Sequence, residues 1–154
     1  MKTAEIIFGI FFTAAIFGPL FYLYHWSNRR KTKMVNALQS LAKIHSLQLS
    51  EKEVWNDKGL GYDISKKSLI YIAIQNQIVT EKYISILDVH EIKIITNRDV
   101  VTIQFLKHNR EAINLEIFNT LFDEPLNGGY HLLLAKKWVD LLNKDIKTLP
   151  KKAA

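Results

Sequence analysis

Cysteine is absent from this chain. That excludes disulfides and thiolate metal sites, and it suits a reducing compartment such as the cytoplasm. Proline occurs three times and glycine six times, and neither falls between Pro19 and Leu49. No acidic residue lies between Glu5 and Glu51, and no charge of either sign lies between Ile6 and Tyr24. The usual catalytic signatures are missing as well. His90-Glu91 lacks the second histidine of a zinc-protease motif, and the other histidines, His25, His45, His108 and His131, are scattered. Gly59-Leu60-Gly61 reads as a break; it lacks the third glycine of a phosphate cradle, and strand-like residues follow it. No G-x-S-x-G elbow is present. Asp123-Glu124, ahead of Pro125, reads as a solvated loop. The expectation is a protein without catalysis, cofactor or metal site; an enzyme with a diffuse, motif-less site is the alternative.

What is present begins with Ile6 to Tyr24, IIFGIFFTAAIFGPLFYLY. As a helix it reaches about 29 Å, close to the ~30 Å hydrocarbon core of a bilayer. Its eleven Ile, Leu and Phe residues contribute about −3 to −7 kcal/mol toward insertion. The stretch predicts a transmembrane helix, with Pro19 and Gly18 favouring a bend. Tyr22, Tyr24 and Trp26 gather at one end, where amphipathic rings prefer the membrane interface. Ala14 with Gly18, and Gly9 with Thr13, are small pairs four apart that allow close helix–helix contact, hence an oligomer through the span. A cleaved signal peptide with Met1 to Glu5 as its n-region is the rival reading. Against it, the apolar run is long and the residues beyond it are bulky and basic.

Charge sets the orientation. Arg29, Arg30, Lys31 and Lys33 follow the span at once. The positive-inside rule then puts the long C-terminal part in the cytoplasm and the N-terminus outside, as in a single-pass protein of the cell inner membrane. The same cluster can hold anionic headgroups. The chain carries +6 overall, but from Glu51 onward 15 basic residues meet 14 acidic ones. The surplus belongs to the flank of the anchor, so no basic domain face for nucleic acid is expected.

Periodicity divides the rest. Lys33 to Leu49 repeats Val35, Leu38, Leu41, Ala42 and Ile44 at helical spacing, and with no breaker before it the membrane helix can run into it as one rod. Leu60–Ile64, Leu69–Ile74, Ile78–Thr80, Tyr83–Leu87, Val89–Thr96, Val100–Lys107 and Ala112–Phe118 read as short strands at hairpin spacing, with turns at Gln75-Asn76-Gln77 and Asn97-Arg98-Asp99 among them. Leu69–Ile74, LIYIAI, is apolar on both faces. Tyr130–Ile146 returns to helical period around Trp138. The fold class is α+β: an anchor (1–26), a basic juxtamembrane segment with an amphipathic helix (27–50), a β domain closed by a C-terminal helix (51–148) and a tail (149–154). The β domain is expected as an antiparallel sheet of six to seven strands or a partly closed barrel, with the helix as its plug.

Ser65-Lys66-Lys67-Ser68 in a first hairpin, Ile84-Ser85-Ile86-Leu87-Asp88-Val89, and a last helix reading Ala135-Lys136-Lys137-Trp138-Val139-Asp140-Leu141-Leu142 together resemble the pleckstrin-homology-like superfamily. The closing-helix Trp is that family's most characteristic residue, and Trp138 matches it. The resemblance implies binding of lipid headgroups or proteins, with Lys66 and Lys67 at the place of the phosphate-holding basic residues. Expected partners are membrane lipid and other proteins of a membrane complex, with this chain as adaptor or subunit.

Overall fold

A computed structural model describes residues 2–123 and 128–148, with the side chains of 2–10, 20, 23–28, 30 and 128 outside the description. Helix α1, Lys2–Ile44, runs 43 residues without interruption and contains Pro19. The expected rod is thus one helix. It stops at Ile44, short of the expected Leu49, for a local reason. Ser46 takes a positive φ of 54°, and the Leu47 amide reaches back to the Ala42 carbonyl at 2.8 Å. This is the left-handed helix stop in which glycine is commonest, built here on serine. Among the described residues no helix is long and apolar enough to cross a membrane. Of the predicted span, side chains are described only at 11–19, 21 and 22.

Seven strands follow: β1 (Glu51–Trp55), β2 (Lys58–Asp63), β3 (Ser68–Gln75), β4 (Ile78–Ser85), β5 (Val89–Asn97), β6 (Val100–Lys107) and β7 (Ala112–Asn119), with a 3-10 turn at 86–88 between β4 and β5. They form two antiparallel meanders, β1-β2-β3-β4 and β5-β6-β7. Helix α2, Gly128–Thr148, closes the chain. Two details correct the sequence reading. Glu51–Trp55 is a strand, so Ser65–Ser68 is the second turn and not the first hairpin. Gly59-Leu60-Gly61 is not a break but the middle of β2, a strand buried along its whole length. A Cβ on Gly61 would sit 2.8 Å from Leu49 Cδ1. Glycine there lets the segment leaving α1 lie flat on the sheet.

The first sheet is apolar on both faces because both are covered. Leu69, Tyr71 and Ala73 of β3 point into the main core, with Phe105, Leu115, Ile117 and Trp138. Ile70 and Ile72 point the other way, under Met34, Leu38, Leu41 and Ala42 of α1. The two-faced strand LIYIAI is therefore the middle layer of three. Trp138 is buried at the centre of the α2 contact, and its indole N–H donates to Glu53 at 3.3 Å.

The expected barrel closure is absent: β4 and β7 do not pair, and the strands remain two sheets. Side chains of the first sheet bridge the seam instead. Lys82 Nζ donates to the Asn114 carbonyl at 2.6 Å, the Tyr71 hydroxyl to that of Glu116 at 2.7 Å, and the Trp55 indole to that of Ile117 at 2.9 Å. An open strand edge leaves unpaired carbonyls. Here three strands of one sheet each lend a donor to the edge of the other.

Candidate functional site

Three places could carry function: the exposed stretch of α1, the Lys66–Lys67 turn, and the end of the domain where β7 leaves its sheet.

On α1, residues 11–19, 21 and 22 are all exposed. Phe11, Phe12, Ile16, Phe17, Phe21 and Tyr22 lie among them, and at roughly 100° per residue they point to every side of the helix. Gly18 has nothing within 4 Å of where a Cβ would stand, and Thr13 and Ala14 are exposed beside it. Arg29, Lys31 and Lys33 are exposed, and Met34 is the first buried residue that follows them. Gly9, Tyr24, Trp26 and Arg30 have side chains outside the description.

The lysines of the 64–67 turn have protein partners. Lys67 pairs with Asp145 of α2 at 2.9 Å, and Lys66 Nζ donates to the Ser46 carbonyl at 2.5 Å. Asp145 also accepts the Tyr62 hydroxyl. Burial alone would raise the Asp145 carboxyl; the bonds from Tyr62 and Lys67 outweigh it, and its pKa lies below the ordinary value. Burial first, then the bond to Asp145, holds the Tyr62 phenol protonated far above its usual range. The turn is thus fastened to α2 and to the segment that leaves α1.

Asp63 organises the same turn. It is buried, and one carboxylate oxygen accepts the Ser65 hydroxyl and the Lys66 amide, the other the Gln48 amide at 2.7 Å. The Ser65 bond leads in lowering its pKa to about 2, against the upward pull of burial and with the help of the backbone amides. The unfolded value is about 3.9. A depressed carboxyl stabilises the fold above the unfolded pKa and loses that contribution as pH falls through the folded one. The stability difference between the native protein and Asp63→Asn should therefore be largest above about pH 4 and shrink toward pH 2. Thermal unfolding in detergent across that range checks it; a constant difference would refute the assignment.

At the β7 end, Lys58 and Asp123 form a buried ion pair. Asp123 also accepts the Asn119 amide at 2.9 Å and the Asn56 side-chain amide at 2.8 Å. Glu116 stands 3.7 Å from Lys58 and accepts from Gln75 at 2.7 Å. The reading of Asp123 as a solvated loop acid is corrected: its carboxylate pins the turn after β7 to the β1–β2 turn. Lys58 escaped sequence reading because its partner lies 65 residues on.

The histidines with described side chains are packing groups or lie on the surface. His45 stacks on Tyr83 with centroids 4.6 Å apart, and buried His131 stacks on Phe118 at 5.1 Å. Among the described residues no group of three or more His, Asp or Glu is arranged to hold a metal. A cavity of about 430 Å³ lies at the seam, lined by Lys82, Tyr83, Ala112, Ile113 and Asn114. The Lys82 ammonium there is already bonded to the Asn114 carbonyl. Comparison of the chain with family models, curated proteins and solved structures finds no match.

Proposed function

We propose that this protein is a single-pass membrane adaptor, a non-catalytic subunit of a larger membrane complex that holds a binding domain of the pleckstrin-homology-like kind at the inner face of the cell membrane. One observation carries the anchor: the described apolar residues of α1 between Phe11 and Tyr22 are exposed on every side, and no other described residue covers them. A helix that is hydrophobic all round is stable inside lipid or protein, not in water. The exposed Arg29, Lys31 and Lys33 follow this run, where the positive-inside rule wants them.

The four-plus-three strand arrangement, the closing helix and the buried Trp138 support the family resemblance. Binding is the function such a domain suits. The partners of Lys66 and Lys67 favour a protein ligand over a phosphate held at that turn. Purification of the full chain in mild detergent at native abundance tests this. A stoichiometric membrane-protein partner is expected; a lone monomer, or a protein released from membranes without detergent, would refute it.

A further inference from the structure

Four turns meet at one end of the domain. Asn56 and Lys58, flanking the β1–β2 turn, hold Asp123 after β7. The Ile74 amide donates to the Asp57 carbonyl at 2.8 Å, bringing the β3–β4 turn beside them. The Thr120 amide donates to the Asp99 carbonyl at 2.9 Å, adding the β5–β6 turn. Large apolar side chains stand in solvent at this end: Leu121 is 82 % exposed, Ile78 68 %, Val79 54 % and Phe122 48 %. Asn76 and Gln77 both take positive φ, 49° and 66°, a tight turn that presents Ile78 at its base.

The course of α1 says what this end faces. The chain leaves α1 at the opposite end, where Ser46 meets Lys66 and Gln48 meets Asp63. From there the helix runs back over the outer face of the sheet through Leu41, Leu38 and Met34, against Ile70 and Ile72, with Val54 and Ile74 at the margin of the cluster. Its apolar N-terminal part therefore departs over the end that carries the four turns. From Tyr24, the last residue of the apolar run, to Met34 is ten helical steps, about 15 Å. Strand β3 extends about 13 Å from Ile72 to the Asn76 turn, enough to bridge most of that gap.

We propose that this end is a second membrane contact: Ile78, Val79, Leu121 and Phe122 rest in the headgroup boundary of the bilayer that holds α1. The inference rests on the anchor reading above. Helix α1 supplies the height and the ion pair at Asp123 holds the 120–123 turn in place. Arg98 and Asp99, exposed at the same end, offset one another, and partly exposed Asp57 beside them is acidic, so apolar side chains rather than basic charge make the contact. It should survive high salt, unlike a basic patch.

The absence of cysteine makes single labels unambiguous. Ile78→Cys and Leu121→Cys, with Asn109→Cys at the far β6–β7 turn and Phe12→Cys in α1, each carry an environment-sensitive fluorophore on the full chain in phosphatidylcholine–phosphatidylglycerol vesicles. Labels at 78 and 121 should shift to the blue, and lipids with a shallow nitroxide should quench them several-fold more than the label at 109, in low and high salt alike. The label at 12 should be quenched by a deep nitroxide. Quenching at 12 with none beyond the 109 level at 78 and 121 overturns the contact and leaves the anchor standing. A blue shift at 78 or 121 without quenching means protein covers the patch, and also overturns it. No quenching at 12 overturns the anchor reading itself, and the contact with it.

Discussion

Asp123→Ala should destabilise the folded domain by about 3–5 kcal/mol, because it leaves the Lys58 ammonium buried without its nearest counter-charge. Lys58 is 1 % exposed, so water cannot replace the lost partner. Glu116, at 3.7 Å, recovers part of the loss and is one reason to expect the lower half of that range. The Asn119 amide and the Asn56 side chain lose their acceptor in the same step. In a thermal melt of the full chain in detergent this reads as a fall of about 10–20 °C. The double variant Lys58→Met, Asp123→Leu should lose much less than the single one, since apolar isosteres of a buried pair are often neutral or better. If the double variant proves as unstable as Asp123→Ala, the hydrogen bonds of Asp123 matter and the buried charge does not.

That pair also marks the limit of what the sequence shows. β3 was legible because burial on both faces leaves a local trace, a run of six apolar residues. The turns at Asn76 and Asn97–Asp99 were legible for the same reason: turn chemistry is local. Lys58 and Asp123 were not, since each alone looks like a solvated residue beside a turn, and only the fold brings them together. β1 was hidden by its own composition. Glu51, Lys52 and Glu53 show no apolar alternation, yet Glu53 lies under α2 and accepts from Lys137 at 2.7 Å. The glycines of β2 misled in the opposite sense. They were read as a break, whereas Gly61 is there to admit Leu49, a contact no window of sequence contains. Of the candidate sites, the α1 stretch was readable from composition. The apolar tips at Ile78 and Leu121 were not, because exposed and buried isoleucines look alike until the strands are paired.

Leu38→Ala should cost about 2–5 kcal/mol, with an effect that differs in kind from Asp123→Ala. Leu38 is fully buried, yet it belongs to the outer cluster of Met34, Leu41, Ala42, Ile70 and Ile72, not to the core shared by the two sheets. Its truncation opens a cavity between α1 and the first sheet while the Trp138 core keeps its contacts. Local opening then falls below global unfolding: amide exchange over residues 34–44 should speed up by one or more powers of ten before β5–β7 changes. Leu38→Asp goes further, since an unpaired carboxylate in that cluster forces α1 off the sheet. The helix would then be a tether and no longer a strut. With α1 undocked, labels at 78 and 121 should lose their lipid quenching while one at 12 keeps it. Equal protection loss across all strands would mean that α1 is part of a single cooperative unit. Retained quenching at 78 and 121 would mean that the turns find the bilayer without the helix to aim them.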